Sequence, residues 1–348
     1  MGRALLRQSL VWAICVVWLV SACAPALPVA ATATPVSLKP ANLLTPRPTL
    51  PPATPTPVEE EALEAAAIPI IPTEPPIRSV PTATPTPVLT GTPVLVSEPL
   101  QGLLLDDRLD SPIIGSSFAY RVYLPPDYLT SPNRRYPALY LLHGAGGNYT
   151  EWSDSFLPEQ IDRMIVADEI KPMIVVMPDD GESTYYANWD NGPRWGDYVT
   201  EDVVNTIDQR YRTLTRASDR AIGGLSMGGL GALNLALQHP DVFGVVGSHS
   251  PSVRLQPDPT LWFLTGDNFW DNNPIWLAQH APGLDSLKIW LDVGTDDVWL
   301  PNIEAVHIAL ASDGLQVDWH EFPGPHEAEY WIEHVPDYLR FYSAALAS

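Results

Sequence analysis

Ala221-Ile222-Gly223-Gly224-Leu225-Ser226-Met227-Gly228-Gly229 reads as the end of a strand, a tight turn and the start of a helix. It contains the pattern Gly-x-Ser-x-Gly as Gly224, Ser226 and Gly228. Small residues two positions either side of the serine let strand and helix approach closely enough to hold it in a strained backbone conformation, which leaves its hydroxyl exposed above a sheet. The five-residue pattern also occurs in structural Gly-rich turns, so its context decides. Arg220 to Gly223 is short and apolar enough for a buried strand, and Leu230 to His239 reads as a helix that stops before Pro240. Ser226 is therefore the candidate nucleophile.

Outward from this turn the chain alternates strands and helices. Strands are expected at Phe118 to Leu124, Ala138 to Leu142, Met173 to Met177, Val242 to Val246, Leu287 to Val293 and Gln316 to Phe322. Helices are expected at Pro158 to Ala167, Val199 to Tyr211, Pro301 to Ser312 and in a last segment ending near Ala345. Strands separated by helices of this length predict an α/β fold, a mostly parallel sheet covered on both faces, with the ligand at the carboxyl ends of the strands.

A serine hydroxyl needs a base to take its proton and a carboxylate to orient that base. Of the eight histidines, His326 is placed in a loop after the final strand, whereas His320 falls inside that strand and His334 inside the last helix. The carboxylate belongs after the preceding strand, where the chain reads Asp292-Val293-Gly294-Thr295-Asp296-Asp297. Asp297 lies in the loop beyond Gly294, Asp292 is still on the strand, and Asp296 is expected to face solvent. The chain order Ser226, Asp297, His326 is that of an α/β-hydrolase. Two backbone amides must face the oxyanion formed in acyl transfer. Met227, directly after the nucleophile, supplies one, and Ala145 in Leu141-Leu142-His143-Gly144-Ala145-Gly146-Gly147 the other. The position of His143 at a strand end suits a structural hydrogen bond. The Lys-Ser/Thr of a phosphate-binding loop is missing, and Asp179-Asp180 is too sparse for a calcium loop, so neither cofactor nor metal is expected.

Two loops at the same edge are rich in aromatic residues: Tyr185, Tyr186, Trp189 and Trp195 in one, and Trp262, Phe263, Phe269, Trp270 and Trp276 in the other. These rings suit stacking on a sugar or a phenolic acyl group, and equally suit a small local core. Gly144, Trp189, His249 and Trp270 are the residues expected at the substrate.

Composition divides the chain. Residues 24–97 hold 18 prolines among many Thr and Ala, including the repeat Ala53-Thr54-Pro55-Thr56-Pro57-Val58 and Ala83-Thr84-Pro85-Thr86-Pro87-Val88. Such a tract lacks the apolar density to offset chain entropy and reads as a disordered, semi-rigid linker. Residues 98–348 suit one domain with its own core. The formal charge of -22 lies wholly in that domain, which argues against nucleic acid as a partner. Both cysteines, Cys15 and Cys23, precede the linker, so the domain contains no disulfide. Arg3 and Arg7 followed by an apolar run from Leu10 to Val20 suit a signal peptide over residues 1–22. It ends in Val20-Ser21-Ala22-Cys23, which resembles the lipobox of bacterial lipoproteins, where the signal is cut before the cysteine and the thiol carries lipid.

With Tyr140 to Gly144, Gly146-Gly147, Asp202 to Thr213, Gly224 to Gly229, Gly294 to Asp297, and Gly324-Pro325-His326 with Trp331 in hand, residues 100–345 resemble the putative-esterase family of α/β-hydrolases. That group includes esterase D, feruloyl and enterochelin esterases and the antigen 85 mycolyltransferases. These motifs are specific for the fold and a working triad, not for the acyl group, the alcohol or the oligomeric state. The resemblance implies a serine carboxylesterase, here secreted and held to a bacterial membrane by lipid on Cys23. An acyltransferase using a sugar or lipid hydroxyl shares the same chemistry up to the acyl-enzyme. A non-catalytic binding module on a stalk is the reading from another class, and the intact Ser226, Asp297 and His326 argue against it.

Overall fold

The computed structural model describes residues 89–94, 96, 99–181 and 183–346. The predicted signal peptide, Cys23 and the linker as far as residue 88 lie outside the described residues. In chain order the elements are β1 (Thr92–Pro93), β2 (Leu103–Ser111), β3 (Ser116–Leu124), β4 (Ala138–Leu142), α1 (Glu151–Asp154), α2 (Leu157–Val166) and β5 (Ile174–Pro178). Next come α3 (Trp195–Asp197), a wide helical turn over Tyr198–Val203, α4 (Val204–Arg210), β6 (Arg220–Leu225), α5 (Met227–Gln238) and β7 (Val245–His249). The chain closes with α6 (Gly266–Asp271), α7 (Pro274–His280), β8 (Lys288–Gly294), α8 (Leu300–Ser312), β9 (Val317–Phe322) and α9 (Ala328–Leu346). None of these helices is long and apolar enough to cross a membrane.

The strands form one sheet in the order β1-β2-β3-β5-β4-β6-β7-β8-β9. From β5 to β9 the neighbours run parallel, and β1, β2 and β3 add an antiparallel edge. Side chains alternate across a strand, so Leu139, Leu141, Val175, Ala221 and Val245 enter the core under α2 and α9, while Tyr140, Leu142, Val176, Ile222 and Val246 enter the larger one under α5. α5 is buried along its whole length up to Leu237, which is why its sequence is apolar on every side.

Three differences from the sequence-based expectation have physical causes. β2 is not among the expected strands; the charges in Leu103-Leu104-Leu105-Asp106-Asp107-Arg108 are paired from a distance, Asp106 with Arg121 across the ladder at 2.7 Å and Asp107 with Arg210 at 3.1 Å. Residues 89–94, which composition places in the linker, already belong to the fold. Thr92–Pro93 pair with β2, Val94 N–H donates to the Leu104 carbonyl at 2.9 Å, and Leu89 rests on the core. Finally, β7 begins at Val245 rather than Val242. The amides of Val242 and Phe243 donate to the His239 carbonyl in a turn that closes α5, and the Phe243 ring packs edge-on to Tyr140 at 5.7 Å. This shift of three residues draws His249 into the strand and so into the interior.

Candidate active site

Ser226 stands between β6 and α5 with φ 53° and ψ -113°, a conformation that L-residues avoid. The close packing on either side explains the flanking glycines. A Cβ at Gly224 would meet the Gly228 backbone at 2.4 Å, and one at Gly228 would meet the Leu142 carbonyl at 2.4 Å. The Ser226 N–H donates to the His249 carbonyl at 3.0 Å, and its own carbonyl accepts from Ser252 N–H at 3.1 Å, so the turn is pinned to the end of β7.

The structure brings Ser226, His326 and Asp297 together in that order. The Ser226 hydroxyl lies 2.8 Å from His326 Nε2, and His326 Nδ1 lies 2.7 Å from Asp297 Oδ2. Asp297 is held by two further donors: the Trp299 N–H at 2.7 Å, and the Ser250 hydroxyl on the oxygen that His326 also uses. Burial pushes the Asp297 carboxyl up, but hydrogen bonds from His326, Ser250 and the Trp299 amide outweigh it and hold the group below the ordinary aspartate range. The indole of Trp331 meets the His326 ring edge-on at 4.9 Å and fixes its plane.

Met227 opens α5, where the first amides have no intrahelical acceptor. Ala145 sits in an exposed turn closed by the Gly147 N–H on the Gly144 carbonyl at 3.1 Å, a bond that leaves the Ala145 amide free of the turn. The Gly144 amide is not available to a substrate. It donates to Glu151 Oε2 at 2.6 Å, and Trp152 Nε1 holds the Leu142 carbonyl at 2.9 Å, so α1 clamps the loop from below.

Two more of the residues expected at the substrate are placed elsewhere. His249 is fully buried, with Nδ1 2.7 Å from Asp292 Oδ2 and Nε2 2.8 Å from the Tyr342 hydroxyl. Trp270 is buried in α6 against Phe269 and Trp276, part of a local core. Trp189 remains half-buried beside Phe263 and Trp262. Sequence reasoning missed Ser250, Glu151 and the neighbours of Asp292. Only Glu151 left a signal, a lone acid seven residues after Gly144 in an otherwise uncharged stretch.

His143 lies directly before the turn that holds Ala145. Its Nδ1–H donates to the Gly144 carbonyl at 2.9 Å, and its Nε2 faces Asp180 at 2.9 Å and Asp179 at 3.7 Å. These three are the grouping with metal-ligand potential among the described residues. Burial disfavours the imidazolium, but Asp179, Asp180 and the Gly144 carbonyl outweigh it and raise the His143 pKa to about 10. A folded pKa above the unfolded value of about 6.5 stabilises the fold fully below that value, and the contribution is lost as pH rises through about 10. The melting temperature is therefore expected to fall between these pH values more steeply in the wild type than in His143→Gln. Parallel curves for the two proteins would contradict a charged His143.

The family model described as putative esterase matches residues 111–342. A Mycobacterium tuberculosis esterase is 30% identical over 254 residues, covering 63% of this chain and 54% of the relative. The chain thus spans about half the length of that relative. An endo-1,4-beta-xylanase/feruloyl esterase of Xylanibacter ruminicola is 34% identical over 158 residues, covering 42% of this chain and 22% of that protein. Among solved structures, a ferulic acid esterase superposes with a TM-score of 0.65 at 27% identity, over 72% of this chain and 100% of that one. An S-formylglutathione hydrolase from Agrobacterium tumefaciens, at TM-score 0.60 and 19% identity, shares the α/β-hydrolase fold; the overlap covers 72% of this chain and 98% of that one.

Proposed function

Because this chain belongs to the putative-esterase family, we propose that it is a serine carboxylesterase acting on a small or carbohydrate-linked acyl ester through an acyl-enzyme. The observation that carries this reading is the unbroken relay from Ser226 Oγ to His326 Nε2 and from His326 Nδ1 to Asp297 Oδ2. In the first half-reaction Ser226 attacks the carbonyl carbon, its proton passes to His326 Nε2, and Asp297 stabilises the imidazolium that forms. The oxyanion is received by the amides of Met227 and Ala145. His326 then returns the proton to the departing alcohol. In the second half-reaction water attacks the acyl-Ser226 and loses its proton to the same nitrogen; the acyl–Oγ bond then breaks, the acid leaves, and His326 Nε2 returns that proton to Ser226 Oγ. The feruloyl esterases among the relatives favour a phenolic acyl group. Purified protein assayed against acetyl, feruloyl and longer acyl esters is expected to turn over at least one class, with feruloyl esters fastest. Inactivity towards all three would refute the hydrolase reading.

We also propose that the enzyme works outside the cytoplasm, tethered by lipid on Cys23 with the Pro/Thr-rich segment as a stalk. Support comes from the sequence alone: a basic start, a short apolar core, Val20-Ser21-Ala22-Cys23 and a solvated spacer. One acyl chain anchors only marginally, at about 0.8 kcal/mol per buried CH₂, so two or more chains are expected on the residue. In a bacterial host, wild type should partition with membranes and carry a lipidated N-terminal peptide, whereas Cys23→Ala should not. An unmodified N-terminus in the wild type would rule out the anchor and leave the esterase reading standing.

A further inference from the structure

The peptide units leading into the turn that holds Ala145 are gripped one after another. The Leu142 carbonyl accepts from Trp152 Nε1 at 2.9 Å. The next unit, the His143 carbonyl with the Gly144 amide, is held at both ends: the Tyr186 hydroxyl donates to the carbonyl at 3.2 Å, and the amide donates to Glu151 Oε2 at 2.6 Å. In the unit after it, the Gly144 carbonyl accepts from His143 Nδ1–H at 2.9 Å and from the Gly147 amide at 3.1 Å. A trans peptide is planar, so its N–H points opposite to its carbonyl. Fixing the Gly144 carbonyl therefore aims the Ala145 N–H, and the hold on the His143 carbonyl fixes the plane before it.

Trp152 and Glu151 belong to α1, and His143 and Gly147 to the turn itself, whereas Tyr186 reaches in from the loop after β5. The parallel register of Tyr140 with Val176 brings the ends of β4 and β5 out side by side, so His143 stands next to Asp179 and Asp180. Asp180 Oδ1 faces His143 Nε2 at 2.9 Å. Its Oδ2 accepts from the Thr184 hydroxyl, whose oxygen in turn accepts from the Tyr186 N–H at 3.1 Å. The circuit closes where the Tyr186 hydroxyl meets the His143 carbonyl, and Asp180, Thr184 and Tyr186 are all buried.

Tyr185 and Tyr186 both take left-handed backbone, at φ 57° and 53°, which bulky residues avoid and which persists only where the surroundings over-determine it. α5 supplies the seat: a Cβ at Gly231 would lie 2.6 Å from the Tyr186 ring, so glycine there lets the ring pack. Burial, with the Asp180 charge behind it, pushes the phenol well above its ordinary pKa, so the hydroxyl keeps its proton to donate. Packing in that seat would be served equally by phenylalanine; what the hydroxyl adds is the hold on His143. We propose that Tyr186 is a positioning residue for acyl transfer, keeping the Ala145 N–H aimed at the oxyanion through the His143 carbonyl, with Thr184 and Asp180 holding it in place. This rests on the esterase reading and adds to it a residue that touches no reacting atom. An oxyanion donor acts on the transition state more than on the bound substrate, so a misaimed amide lowers kcat and leaves KM.

The test compares wild type with Tyr186→Phe, which keeps the ring and removes the hydroxyl, in aryl acetate hydrolysis by the full chain. Active sites are titrated with a fluorophosphonate, so that kcat is counted per site. Tyr186→Phe should lower kcat about tenfold, short of the roughly 10²- to 10³-fold cost of losing an oxyanion donor outright, with KM within about twofold. Affinity for an aryl trifluoromethyl ketone, whose adduct with Ser226 carries an oxyanion as the transition state does, should fall by the same factor. Thr184→Val should move both quantities in the same direction and Thr184→Ser should restore them, a second route should Tyr186→Phe not fold. Wild-type kcat per titrated site in Tyr186→Phe and Thr184→Val, however many sites remain, would show a merely structural tyrosine and overturn the proposal. A fall in kcat with unchanged ketone affinity would overturn it too. A wild type that hydrolyses no aryl ester overturns the esterase reading instead, and the proposal with it.

Discussion

Ser226→Ala is expected to abolish both ester hydrolysis and labelling by a fluorophosphonate probe, with the rate falling about 10⁴- to 10⁶-fold. The reason is geometric. The Ser226 hydroxyl is the one held 2.8 Å from His326 Nε2, on a backbone with φ 53° that aims it out of the sheet. Alanine keeps that turn, because the flanking glycines and the bonds to His249 and Ser252 are backbone features. The melting temperature should therefore barely move. Retained labelling in the alanine variant would place the nucleophile elsewhere.

The second large effect separates two aspartates by two different measurements. Asp297→Asn should cost about 10⁴-fold in kcat, since an amide in that position favours the wrong tautomer of His326. Its stability cost is small, because the asparagine oxygen still accepts the Trp299 N–H and the Ser250 hydroxyl is free to rotate. Asp292→Asn should do the reverse. All of the surrounding groups donate to Asp292: His249 and Trp290 to one oxygen at 2.7 Å each, and Tyr330 at 2.7 Å and Tyr338 at 3.2 Å to the other. An amide nitrogen must face either the His249 and Trp290 N–H pair or the two tyrosine hydroxyls, which must then turn to accept, and losing the carboxylate from a buried network of this kind costs about 3–5 kcal/mol. For a domain of this size that is on the order of 10 °C in melting temperature. Turnover of the remaining folded Asp292→Asn enzyme should stay near wild type. A kcat loss in Asp292→Asn as large as in Asp297→Asn would show that the buried pair takes part in the chemistry.

The fold and the triad were legible because each depends on short-range features. The apolar runs at Ala138 to Leu142 and around Met173 to Met177 are long enough for buried strands, and the structure places strands there. The elbow is read from five residues. Asp297 and His326 are read from lying just past a strand end, which determines the side of the sheet a residue can reach. β2 was hidden because its partners, Arg121 and Arg210, sit 15 and 103 residues away. Ser250 was hidden for a related reason: it reaches Asp297 only through a backbone at φ 47°, and nothing in Ser248-His249-Ser250-Pro251 announces that conformation.

By itself the sequence determined which residues could form the catalytic relay and in what chain order, because strand ends and the loops after them are local properties. It did not reveal that a second histidine–aspartate pair would form in the interior. The chain builds two such pairs with the same 2.7 Å contact, His326 with Asp297 and His249 with Asp292. His249 and Asp292 are partners across adjacent parallel strands, and α9 closes over them with Tyr330, Tyr338 and Tyr342. A strand begun three residues earlier would leave His249 in the loop beyond its end, at the edge where the substrate was expected. Tertiary packing sets that register, since the face and depth of every side chain on a strand follow from where the ladder starts.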